Sequence, residues 1–157
     1  IYEGALAVAS RPYPGVPETL ASLAADGWRM AVCTNKPEAA SRRLLGALEL
    51  DRHLAAIAGG DSYPVRKPDP RHLTLTLEEL GLNGTPAIVV GDSRNDLLAA
   101  GAANLPVIWA TYGYGSEAAA ALPYTARLSQ FADLPEILSD TAFPTRRAQF
   151  PQERRGL

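Results

Sequence analysis

A chain of 157 residues is long enough to bury one hydrophobic core and too short for two domains of ordinary size. With 46% hydrophobic and 20% charged residues and a formal net charge of −2, it has the make-up of a soluble globular protein, with no electrostatic reason to bind nucleic acid or an acidic membrane surface. Its single cysteine, Cys33, excludes an internal disulfide and a cysteine-based zinc cluster, and no apolar run is long enough to span a bilayer.

The lone thiol suits a reducing compartment, and no basic-then-apolar leader opens the sequence, so a cytoplasmic location is expected. The chain starts at Ile1 in what reads as the middle of a helix, as a piece of a longer product would.

Residues 1–10 have the Ala/Leu/Val content of a helix end. Arg11-Pro12-Tyr13-Pro14-Gly15-Val16-Pro17 then imposes an extended, turning linker. Pro17 suits the first position of a new helix, and Val16, Leu20, Leu23 and Ala24 give it an apolar stripe. Asp26-Gly27 stops that helix, and Trp28 to Cys33 reads as a strand ending in Thr34-Asn35-Lys36-Pro37.

A second helix is expected from about Pro37 to Leu48, and a short strand from Leu54 to Ala58. The ten residues from Asp61 to Pro70 hold three prolines and four charges, so they form a loop. Helix returns from Arg71 to Leu80. Next comes a continuous apolar run, Ala87 to Val90, which reads as a strand buried on both faces.

After Gly91-Asp92-Ser93-Arg94 a helix runs from Asn95 to Ala103, followed by a strand at Val107–Ala110. Thr111-Tyr112-Gly113-Tyr114-Gly115 is a glycine-flanked loop. A short helix near Glu117–Ala121, an edge strand at Ala126–Leu128 and a last helix at Phe131–Leu138 complete the pattern. From 141 onward there are two prolines, four arginines and no helical or strand period, so a disordered tail is expected.

Strands alternating with helices at this spacing predict a Rossmann-like three-layer α/β/α fold with a parallel sheet. The expected organisation is a linker over 1–12, one core domain over 13–139 and a tail over 140–157. No internal repeat, dinucleotide fingerprint or Walker-type loop occurs.

In a parallel sheet the carboxyl ends of the strands share one rim, where ligands bind. That rim would gather Thr34 and Asn35, Lys67 from the charged loop, and Asp92 with Asp96 four residues on. Two carboxylates crowded together repel each other unless a cation sits between them, so Asp92 and Asp96 are candidates for holding Mg²⁺. A threonine hydroxyl and backbone amides can donate to a phosphoryl oxygen, and a lysine offsets its charge. This is equipment for phosphoryl transfer, in which positioning and charge neutralisation do most of the work.

Each piece has a simpler reading. Ser93 could cap a helix and Asp96 favour its dipole, Thr34-Asn35 could cap the next helix, and Lys67 could be solvated. Cys33 reads as a small core residue, Trp28 and Trp109 as packing, and His53 and His72 as surface or helix-end groups. Tyr112 and Tyr114 could wall a substrate or form a lid.

Cys33-Thr34-Asn35-Lys36-Pro37, Arg66-Lys67-Pro68-Asp69-Pro70 and Gly91-Asp92-Ser93-Arg94-Asn95-Asp96 resemble motifs two, three and four of the haloacid dehalogenase superfamily. Arg11-Pro12-Tyr13-Pro14-Gly15-Val16 and Thr111-Tyr112-Gly113-Tyr114-Gly115 are similar to its phosphoglycolate phosphatase branch. The resemblance covers about residues 1–138 and preserves motif order and spacing.

It implies a Mg²⁺-dependent phosphatase acting on a small phosphorylated metabolite such as 2-phosphoglycolate, as a monomer or homodimer. By position, Thr34 and the Asn35 amide would bind the transferred phosphoryl group. Lys67 would offset its charge, Asp92 would ligate Mg²⁺, and Asp96 would complete or orient that site. Ser93 and Asn95 are lesser candidates.

The family's first motif, an Asp-x-Asp on the first strand that supplies the nucleophile, has no counterpart here. The aspartates are Asp26, Asp51, Asp61, Asp69, Asp92, Asp96, Asp133 and Asp140, and no two are spaced by two. Most of the helical cap is also missing. Loss of a nucleophile is expected to cost on the order of 10⁴-fold or more, so these residues alone are expected to be inactive.

In the family the missing strand lies between the strands ending at Cys33 and Val90. Those two strands are therefore expected to pair directly, or another chain to fill the slot. The rival reading is a non-catalytic relic that binds Mg²⁺, phosphate or a protein partner. A receiver-like signalling domain fits the alternation but not the Arg66–Pro70 and Gly91–Asp96 motifs.

Overall fold

The computed structural model describes residues 10–140. Most of the expected first segment and almost all of the expected tail lie outside the described residues. Helix α1 spans Val16–Ala25, with a proline in its first turn and Thr19 and Leu23 buried. Strand β1 is Ala31–Cys33, helix α2 Glu38–Ala47 and strand β2 Ala56–Ala58. No helix or strand forms over 61–70, as the prolines require.

Helix α3 covers Arg71–Glu79, strand β3 Val89–Gly91 and helix α4 Arg94–Ala102. Strand β4 (Val107–Ala110), helix α5 (Ser116–Ala119), strand β5 (Ala126–Leu128) and helix α6 (Leu134–Ser139) follow. The last expected helix begins as a one-turn 3-10 helix at Phe131–Asp133, and a second such turn at Asp51–His53 carries no signal in the sequence.

All strand pairs are parallel, and β4 organises the core. Its alternation places Ile108 and Ala110 with Leu23, Leu128, Leu134 and Leu138 on one face. Val107 and Trp109 lie with Leu73, Leu97, Ala99, Ala100 and Ala119 on the other. Helices α1 and α6 thus cover one face and α3, α4 and α5 the other, which is the expected three-layer α/β arrangement.

One expectation is corrected. Strands β1 and β3 do not pair; β1 and β2 form one sheet, and β3, β4 and β5 another. Trp28, Met30 and Ile88 sit against the Ile108–Leu128 cluster, while Cys33 and Val89 pack on the opposite face with Leu73 and Leu97. At the end of β1 the Cys33 carbonyl, which points away from β2, accepts from the Lys67 ammonium rather than from β3.

The open edge also corrects the reading of β3 as buried on both faces, since Val90 is 39% exposed. Most strands are three residues long, shorter than the apolar runs suggested, although Ala55 N–H still donates to Met30 O at 2.7 Å just before β1.

Candidate phosphate and cation site

The carboxyl ends of β1 and β3 and the charged loop before α3 meet at a cleft of about 350 Å³, whose lining includes Thr34, Asn35, Lys67, Asp92 and Asp96. All five residues singled out in the sequence therefore face one small volume. Ser93 and Asn95 line it too, as does Cys33.

The first wall is the turn after β1. Thr34 N–H donates to Ala58 O at 2.9 Å, continuing the β1–β2 ladder. The Thr34 hydroxyl accepts from Lys36 N–H at 3.2 Å, which tightens the turn and leaves the hydroxyl proton available. Asn35 Nδ2 donates to Lys67 O at 2.7 Å and ties this turn to the charged loop. Neither residue caps α2. That role falls to Asp61, whose Oδ1 accepts from Glu38 N–H at 2.7 Å.

Lys67 is the second wall, and it is buried. Its ammonium donates to Cys33 O at the end of β1 and, at 2.6 Å, to Asp96 Oδ1 at the start of α4. One lysine therefore spans the two sheets, and the solvated reading fails.

Asp96 has both oxygens engaged. Its Oδ2 accepts from Ser93 N–H at 3.0 Å and from the Ser93 hydroxyl at 2.7 Å, while Asp96 N–H donates back to Ser93 Oγ. This capping box and the ion pair coexist, so Asp96 both caps α4 and pairs with Lys67 in the cleft. Burial pushes the Asp96 carboxyl up, but the Lys67 charge and the Lys67 and Ser93 hydrogen bonds outweigh it and hold it below the usual carboxylate range.

Asp92 is held differently. Gly115 N–H donates to its Oδ2 at 3.3 Å, and Gly113 presses against its side chain. Tyr112 sits edge-on to Tyr13, with ring centroids 4.9 Å apart, and Tyr114 is fully exposed. Neither Tyr112 nor Tyr114 is among the residues lining the cleft.

A family model described as haloacid dehalogenase-like hydrolase matches residues 1–104, two-thirds of the sequence. The chain belongs to this hydrolase family. It is 45% identical over 131 residues to the phosphoglycolate phosphatase of Mesorhizobium japonicum, covering 83% of this chain and 58% of that one. It is 50% identical over 105 residues to the phosphoglycolate phosphatase of Agrobacterium fabrum, covering 67% and 45%.

Among crystal structures, a predicted phosphoglycolate phosphatase from Haemophilus somnus 129PT superposes with a TM-score of 0.77 at 36% identity, covering 87% of this chain and 61% of that one. CbbY from Rhodobacter sphaeroides, solved in complex with phosphate, superposes with a TM-score of 0.72 at 29% identity, covering 83% and 60%. The chain spans about half the length of the phosphatases it matches.

Within this dehalogenase-like hydrolase several side chains differ from their simplest readings. His72 is at the start of α3 but fully buried, with Nε2 2.9 Å from Gly59 O and the Tyr63 ring edge-on to it. Cys33 is half-buried, and its thiol donates to Thr76 Oγ1 at 3.4 Å; burial pushes its pKa up, against the Thr76 hydrogen bond and the Lys67 charge, so it stays protonated. Trp28 and Trp109 pack in the core as expected.

The sequence places Gly59-Gly60 at the close of a strand and Asp61 in a loop, but not the contacts they make with the turn after β1 and with α2. Gly60 N–H donates to Lys36 O at 2.8 Å, and a Cβ at Gly60 would overlap Asn35 O, so this turn props the Thr34–Lys36 turn from beneath. The Gly59-Gly60 dipeptide was the available signal, but nothing local indicated what it would touch.

Proposed function

We propose that this chain supplies the phosphate- and cation-binding part of a phosphatase that cleaves a small phosphate monoester such as 2-phosphoglycolate. The observation that carries this reading is the convergence of Thr34, Asn35, Lys67, Asp92 and Asp96 on one cleft at the sheet rim. The phosphoglycolate phosphatases at 40–50% identity support the substrate class.

In this reading the Thr34 hydroxyl donates to a phosphoryl oxygen. The Asn35 side chain is occupied by Lys67 O, which leaves the Asn35 backbone N–H for a second phosphoryl oxygen. Lys67 offsets phosphoryl charge while Asp96 fixes its position.

The donor set suits a hard cation. Asp92 and Asp96 are carboxylates on one cleft, and among the described residues Asp92 accepts a single side-chain hydrogen bond, from Gly115. Mg²⁺ is usually held by one or two carboxylates together with substrate phosphates, and this cleft offers two carboxylates. Asp92 would be the direct ligand and Asp96, already engaged by Lys67 and Ser93, its orienting neighbour. Bound Mg²⁺ would neutralise charge on the phosphoryl oxygens.

The sequence holds no Asp-x-Asp, so these residues do not provide the family's aspartyl nucleophile, and β1 and β3 each keep one edge without a strand partner among the described residues. The second reading is a non-catalytic module that binds Mg²⁺ or phosphate or a protein partner.

Hydrolysis of 2-phosphoglycolate and p-nitrophenyl phosphate, with and without Mg²⁺, tests both. Neither should turn over with these 157 residues alone, whereas inorganic phosphate should bind in the presence of Mg²⁺. Robust turnover would contradict the predicted inactivity, and no phosphate binding would remove the site assignment.

A further inference from the structure

We infer that the Gly113–Gly115 backbone is a clamp that fixes the Asp92 carboxylate and thereby sets how tightly this chain holds a divalent cation. The inference rests on the reading of Asp92 as the direct cation ligand and adds the group that positions it.

The backbone of two glycines in this loop meets Asp92. A Cβ at Gly113 would overlap the Cβ, Cγ and Oδ2 atoms of Asp92, so any side chain there displaces the carboxylate. Gly115 N–H donates to Asp92 Oδ2, and a Cβ at Gly115 would come within 3.0 Å of Ser93 Cα. The one large side chain between the two glycines, Tyr114, is fully exposed.

The loop is anchored on either side of this contact. Before it, Tyr112 packs edge-on against Tyr13, and Thr111 N–H donates to Leu128 O at 3.0 Å. After it, Ser116 starts α5, whose Ala119 is fully buried.

A carboxylate has two side-chain torsions, and a small cation that demands near-ideal geometry binds best when they are already ordered. Steric contact from Gly113 and the hydrogen bond from Gly115 provide that ordering. They also occupy Oδ2, leaving Asp92 Oδ1 without a hydrogen bond among the described residues. Gly113 and Gly115 are thus positioning residues that act through Asp92. Groups that orient a ligand commonly change metal affinity without touching the metal.

The test is isothermal titration of Mg²⁺ into the 157-residue chain and into Gly113→Ala, Tyr114→Ala and Asp92→Ala variants. The unsubstituted chain should bind, Tyr114→Ala should bind equally, and Asp92→Ala should lose binding. Gly113→Ala should bind about tenfold or more weakly. Equal affinity for the unsubstituted chain and Gly113→Ala overturns the clamp while leaving the cation reading intact. No binding by the unsubstituted chain overturns the cation reading itself.

A stability measurement covers a poorly folding variant. Gly113→Ala should lower the melting temperature in the normal background but not beside Asp92→Gly, where the added methyl has room. An equal loss in both backgrounds also overturns the clamp.

Discussion

The Lys67 ammonium lies 2.6 Å from Asp96 Oδ1, and the two side chains are only 10% and 11% exposed. The same ammonium reaches Cys33 O, so a buried ion pair fastens the end of β1 to the start of α4 across two sheets that share no backbone hydrogen bond. Removing one partner strands a charge away from water; removing both does not. Lys67→Met or Asp96→Leu alone should therefore cost about 3–5 kcal/mol, and the double variant clearly less than their sum. Urea denaturation of the four proteins measures the coupling, and additive losses would contradict the pairing.

Acid should weaken the fold through the same residue. Asp96 has a folded-state pKa below its unfolded value of about 3.9, so the unfolded state takes up its proton first. Its contribution is present above about pH 4 and is lost as pH falls through the lower folded-state pKa. Melting temperatures between about pH 2 and 6 should fall steeply at the acid end. Asp96→Asn should be less stable near neutrality and flatter below.

Alkali should act through Tyr112. Burial first, then the neighbouring Tyr13 and Asp92, push its phenol up to about 12. A raised acid favours the fold while neutral, so this contribution is full below about pH 10 and is lost as pH rises toward the folded-state value. Tyr13 and Tyr63 are raised as well, so ultraviolet titration should show a late-ionising group of tyrosines, and Tyr112→Phe should remove its latest step. An unchanged titration would exclude the assignment.

Gly60 should tolerate no side chain. Its hypothetical Cβ overlaps Asn35 O, a backbone atom that cannot swing aside. Gly60→Ala should cost roughly 1–3 kcal/mol and shift the Thr34–Lys36 turn, weakening phosphate binding as well as stability. Gly101→Ala, inside α4 with open space at its Cβ position, should be neutral to stabilising. Thermal melts and phosphate titration of the two variants separate a local contact from a general intolerance of alanine.

Much of this molecule could be read from local chemistry. The alternation of apolar runs with Ala/Leu-rich helices, the proline-laden loop over 61–70, and three polar turns at strand ends each depend on neighbours a few residues away. They place Thr34, Asn35, Lys67, Asp92 and Asp96 on one rim because parallel strands share a polarity. The capping box linking Ser93 and Asp96 is equally local.

What only the tertiary structure decided is which of these groups hold one another. Asp61 caps a helix that begins 23 residues earlier, Lys67 spans two sheets, and Gly113 meets a side chain on the far side of α4 and β4 in the sequence. The separation of β1 from β3 belongs here too. Backbone periodicity cannot report it, because which strand edges pair is settled by contacts distant in the chain, such as that of the Lys67 ammonium with Cys33 O.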